Sequence, residues 1–152
     1  MKLVRIAKGR WDVVAVVDGQ GRCPVLDLLD GAGPGRGAAR DSMSPFLQLY
    51  MPLEGPPRFN PQLCRSLGNG IFELRRPPQG AKPEVLFFSD EDLRRIVCTS
   101  ALLEAKTAHS EEVLSARGLR ERYLETKARS EILVIEAVGA GALDSVLTGE
   151  LT

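Results

Sequence analysis

Between Ile71 and Ser110 the chain gathers its densest set of chemically capable side chains: Arg75 and Arg76 close one β-type run, and Lys106 and the only histidine, His109, precede a long helix. Guanidinium presents a planar fork to carboxylate or phosphate oxygens, ammonium a compact point charge, and imidazole a proton exchanged near neutral pH. Such a set suits anion contact and proton transfer. Arg117, Arg120 and Arg122 add a basic helix face that RNA or an acidic protein segment can use, although most such faces are only solvated. Other chemistries are disfavoured. Cys23, Cys64 and Cys98 form no CxxC pair and have one histidine to join them, which argues against a zinc site and a disulfide framework. Cys98, inside an apolar run, reads as core and not as a nucleophile. The glycine-rich GAGPGRG lacks the GxGxxG or GK[ST] context of a phosphate cradle. No metal or other cofactor is expected.

These side chains need a scaffold, and the patterning around them supplies one. Ile71–Arg76, Glu84–Ser89 and Leu93–Thr99 are rich in β-branched and aromatic residues, and their connections are too short for a crossover helix, which predicts an antiparallel meander. Alternation puts Ile71, Glu73 and Arg75 on one face and Phe72, Leu74 and Arg76 on the other. Trp11–Val17 reads as a further strand beside the meander. Pro24–Asp30 is a short helix started by proline, and Pro45–Met51 a second one stopped by Pro52. Residues 31–42 read as a flexible Gly-rich loop, Pro61–Leu67 as one or two helical turns, and Gly68-Asn69-Gly70 as a turn. Ser110–Arg129 is the longest helix, with Val113, Leu114, Leu119, Tyr123 and Leu124 on its apolar side and Gly118 weakening it. After it, EILVIEAV fits either more helix or an added strand, and residues 131–152 form a C-terminal extension.

The expectation is one α+β domain over residues 1–152, with a small antiparallel sheet of about four strands flanked by helices. Twenty basic and twenty acidic residues cancel, so no overall field draws the protein to nucleic acid or membrane. No apolar run is long enough to span a bilayer, and Met1–Ile6 leads into charges instead of a signal-peptide core, so a cytoplasmic protein without a membrane partner is expected.

The order strand, two helices, three antiparallel strands and a basic C-terminal helix resembles the RelE/ParE superfamily, specifically the phage-derived HigB-like branch of type II toxin–antitoxin toxins. The family's "glyElR" strand is matched by Gly70–Arg75, "yrvlyff" by Glu84–Phe88, the strand ending near "llhaF" by Arg95–Leu102, and "rr.yl" by Leu119–Leu124. RCPVLDLLDG is similar to the segment "g.spv.dfL", and the resemblance runs from Trp11 to Leu124.

That resemblance implies a RelE-like fold and a ribosome-dependent mRNA endoribonuclease, a toxin working by metal-independent attack of a 2′-OH on the adjacent phosphate. Such chemistry needs a base, an acid and cations around the phosphorane. The implied catalytic residues are Arg75, Lys106, His109 and Tyr123, and the implied RNA-binding residues are Arg76, Arg117, Arg120 and Arg122. A cognate antitoxin, the ribosome and mRNA are the implied partners. Where the family carries cations this chain has Glu84, Glu104 and Ala105, so weakened cleavage is expected. The alternative is a catalytically degenerate RelE-fold binding or regulatory module of phage or prophage origin.

Overall fold

A computed structural model of the chain describes residues 1–31, 36–58, 60–75, 83–103 and 109–137. In chain order it contains β1 (Lys2–Lys8), β2 (Asp12–Val16), α1 (Pro24–Asp30), α2 (Arg36–Pro45), a π-helical turn at Phe46–Tyr50 and α3 (Met51–Glu54). There follow β3 (Cys64–Ser66), β4 (Phe72–Arg75), β5 (Glu84–Asp90), β6 (Arg95–Leu102), α4 (His109–Ala128) and β7 (Leu133–Glu136).

The strands form one sheet in the order β3-β4-β5-β6-β2-β1-β7. From β3 to β6 every pairing is antiparallel, so the meander expected over Ile71–Thr99 is present. The strand expected at Trp11–Val17 lies beside it as β2, but parallel to β6. A seven-stranded sheet replaces the expected four, because β1, β3 and β7 also pair into it. β7 lies parallel to β1, which resolves the helix-or-strand ambiguity of EILVIEAV and carries the sheet into the expected C-terminal extension. The mixed pairing makes the architecture α+β with parallel as well as antiparallel neighbours.

Runs such as VLFF and VVAV require cover on both faces, since alternate side chains point to opposite sides and all of them must leave water. On one face Val13, Ala15, Leu74, Val85, Phe87 and Cys98 pack with Val25 and Leu28 of α1, Met43 of α2, Leu47 and Met51. On the other, Leu3, Val14, Leu86, Phe88 and Val97 pack with Val113, Ala116 and Tyr123 of α4. Helix, sheet and helix therefore form three layers. Among the described residues no helix is long and apolar enough to cross a membrane.

Several boundaries depart from the expected ones. Residues 36–42, expected in a flexible loop, belong to α2, and helical backbone continues through the π-helical turn to Glu54. Pro52 does not end it: this proline stands where the π-helical turn passes into α3. Cys64–Ser66 is a strand, not a helical turn: the three residues pair with Phe72–Leu74 across the Gly68-Asn69-Gly70 turn. All three turn residues have positive φ, at 84°, 53° and 78°, values that glycine and asparagine tolerate. On α4, Leu114 and Leu124 face solvent, and Ala116 replaces them in the buried stripe with Val113 and Tyr123. A Cβ added at Gly118 would meet nothing within 4 Å, and the helix runs uninterrupted from His109 to Ala128.

Candidate functional site

Strand alternation and register assemble charged side chains under the start of α4. Glu73 and Arg75 share a face of β4, Arg65 of β3 lies opposite Glu73, and Glu84 of β5 lies opposite Arg75. α4 crosses this face and begins at His109. His109 Nε2 and Glu73 Oε2 are 2.6 Å apart, and the same nitrogen is 3.8 Å from Glu84 Oε2. Arg65 Nη2 donates to Glu73 Oε2 at 3.3 Å, and Arg75 Nη1 lies 3.9 Å from Glu73 Oε1. A second Arg75 nitrogen, Nη2, donates to the Pro61 carbonyl at 3.0 Å.

The carboxylates are the hidden members of this cluster. Glu73 is 1% and Glu84 4% exposed, and Arg75 is 8% exposed. A third of the His109 side chain remains accessible. Burial pushes the Glu73 carboxyl up, but hydrogen bonds from His109 and Glu84 and the charges of Arg65 and His109 outweigh it and hold the group below its ordinary value. Buried carboxylates persist only with such compensation, because an uncompensated buried charge costs several kcal/mol. The cluster can exchange a proton through His109 and present a guanidinium to an anion, and its nitrogen and two carboxylates have metal-ligating chemistry.

Of the side chains singled out from the sequence, Arg75 and His109 are brought together, with Glu73 between them. Lys106 and Arg76, with Glu104 and Ala105, lie outside the described residues. Tyr123 is at the far end of α4, about 20 Å from His109 by the helical rise. Its buried hydroxyl donates to Asp90 Oδ2 at 2.6 Å and accepts from Arg95 Nη1 at 3.3 Å, and its ring meets Phe88 edge-on. Burial, with the Asp90 hydrogen bond, pushes this phenol up to about 12.

The basic helix face divides between two neighbours. Arg117 Nη2 donates to the Leu67 carbonyl at 2.7 Å, and Arg120 lies over Gly70, where a Cβ would meet its Nε at 2.8 Å. Both guard the turn into β4. Arg122 instead lines a groove of about 580 Å³ between α4 and the β1–β2 side of the sheet, whose lining also holds Lys2 and the acidic Asp18 and Glu112.

Glu73 was not singled out from the sequence, and Glu84 was noted only as a missing cation. The available signal was the Ile71-Glu73-Arg75 alternation, which already places Glu73 beside Arg75. Comparison with protein-family models, curated proteins and solved structures finds no match for this chain.

Proposed function

We propose that the chain is a HigB/RelE-like toxin with weak ribosome-dependent mRNA endoribonuclease activity. The observation that carries this reading is the meeting of Arg75 and His109, two residues implied by the resemblance, around the Glu73 carboxylate. The order β2, helices, antiparallel β4–β6 and long α4 follows that of the resemblance, with three helices and the π-helical turn where the resemblance has two helices and with β3 added before β4. In the proposed step the imidazole takes the 2′-OH proton as that oxygen attacks the adjacent phosphorus. The bond to the 5′-oxygen breaks, and that oxygen leaves with a proton from solvent or a neighbouring acid. Glu73 holds Nε2, which leaves Nδ1 to receive the proton, and Arg75 faces the phosphorane charge. The reaction draws on no metal ion, takes place in the cytoplasm and is restrained by a cognate antitoxin.

Activity is weak because Arg75 is compensated in place by the Glu73 carboxylate, 3.9 Å from its Nη1. The same observation favours a second reading, a RelE-fold binding or regulatory module that kept the scaffold and lost the chemistry. An arginine at position 84 would face Arg75 across β4 and β5 in a buried setting, so the informative substitution is Glu84→Gln, which removes an ionisable carboxyl beside Arg75 without adding a repelled charge. Ribosome-dependent mRNA cleavage is to be compared for wild type, Arg75→Ala, His109→Ala and Glu84→Gln. Slow wild-type cleavage, abolished in the first two variants and raised about tenfold in the third, is expected, a change of roughly 1.4 kcal/mol in barrier. Wild-type cleavage unaffected by Arg75→Ala removes this site from the chemistry. Silence of all four proteins favours the module reading and removes the cleavage reading.

A further inference from the structure

Under the start of α4, Glu73, Glu84 and His109 make a constellation of which the cleavage reading uses only the Glu73–His109 contact. Glu73 Oε2, Glu84 Oε2 and His109 Nε2 come from β4, β5 and α4, and one ligand atom from each residue lies within 4.8 Å of the others. The His109 nitrogen is 2.6 Å from one carboxylate oxygen and 3.8 Å from the other. A tetrahedral cation bound at about 2.0–2.2 Å holds neighbouring ligand atoms about 3.3–3.6 Å apart. The two separations from His109 straddle that value, and sub-ångström adjustments of the imidazole reach it. Both carboxylates are almost wholly withdrawn from water, and their backbones are locked in register by the β4–β5 ladder. Their desolvation is incurred on folding, so an entering cation meets two oxygen ligands already in place and displaces the proton by which Glu84 bonds Glu73. His109 is the exposed member and leaves a solvent side for entry and for a fourth ligand.

We infer that Glu73, Glu84 and His109 form a binding site for a divalent transition-metal cation of the zinc type. An imidazole nitrogen with two carboxylates is a borderline set that favours Zn²⁺ over Mg²⁺, which takes oxygen ligands and holds its water. Arg65 and Arg75 face the same carboxylate and oppose the cation. Arg65 is half exposed and can swing into water, whereas Arg75 is held by the Pro61 carbonyl. The site is therefore one of moderate affinity. Occupancy takes the His109 Nε2 atom away from Glu73, so Zn²⁺ acts as an inhibitor of any proton transfer through that ring. The inference stands apart from the proposed cleavage, since binding is measured directly.

The test is titration of the full chain with Zn²⁺ alone, by calorimetry, for wild type, Glu73→Gln, Glu84→Gln and His109→Ala, each checked for its thermal melt. The expected result is one Zn²⁺ per chain in wild type, affinity lowered more than about tenfold in every folded variant, and no displacement by millimolar Mg²⁺. Zinc-edge X-ray absorption of the wild-type complex is the second measurement, independent of whether the variants fold. A first shell of oxygen and one imidazole supports the site. No wild-type binding, undiminished binding by folded His109→Ala, or a sulfur-dominated shell from Cys23, Cys64 or Cys98 overturns it.

Discussion

Replacing Asp90 tests whether the polar network at the far end of α4 is what anchors that helix. Asp90 is 7% exposed and accepts from the Tyr123 hydroxyl at 2.6 Å and from Lys127 Nζ at 2.8 and 3.0 Å. Asp90→Ala leaves the fully buried Tyr123 hydroxyl with Arg95 as a donor and with no acceptor for its own proton. An orphaned buried donor costs about 1–3 kcal/mol. The lost Lys127 contact adds about 1 kcal/mol, discounted because the Lys127 side chain is more than a quarter exposed. The total is about 2–4 kcal/mol at pH 7, read by urea denaturation. Tyr123→Phe removes the donor together with its demand and should cost about 1–2 kcal/mol, and the double variant less than the sum, since both act on one network. The pH dependence has a definite sign. Burial pushes the Asp90 carboxyl up, but the Lys127 and Tyr123 hydrogen bonds outweigh it and hold the group below its ordinary value. Its contribution is thus complete above the unfolded value of about 3.9 and fades as pH falls through the lower folded value. The gap between wild type and Asp90→Ala should close in acid. A penalty below about 1 kcal/mol at pH 7, or one unchanged down to pH 2, refutes the anchoring argument.

Three further outcomes follow from the same structure. With the Tyr123 phenol pushed up to about 12, the unfolded chain ionises first, so stability falls as pH rises from about 10 toward 12, and Tyr123→Phe flattens that part of the urea-midpoint profile. Gly70→Ala forces a side chain onto a φ of 78° and brings its Cβ to 2.8 Å from Arg120 Nε, so a loss of about 1–2 kcal/mol is expected in the same assay. Burial pushes the thiols of Cys23 and Cys64 up to about 11 and that of Cys98 higher still, so a disulfide reagent at pH 8 should label native protein more than about a hundredfold more slowly than protein in urea. Fast native labelling would contradict the burial of all three.

Local sequence determined the elements whose signals are dense and short in range. Pro24 and Gly31 bound α1 at the expected residues, Gly68-Asn69-Gly70 makes the expected turn, and the β4–β5–β6 meander follows from alternation and from connections too short for a crossover. The same alternation placed Glu73 beside Arg75. Tertiary structure decided the sheet's extent at its β1–β7 edge, because these strands are short or mixed in polarity and pair with distant partners, Lys2 with Leu133, whereas β3 is a short strand that pairs with β4 across a local turn. It also decided the parallel join of β2 to β6, for which no local pattern codes. The site divides in the same way. Sequence placed a histidine at the start of a helix and charged residues on two strands, but only the packing of α4 across the sheet brought His109 onto Glu73 and carried Tyr123 away to Asp90. The reason is physical: hydrogen-bonded turns and side-chain alternation act over a few residues, whereas the meeting of residues 73 and 109 depends on how two apolar surfaces, each built from many residues, settle against one another.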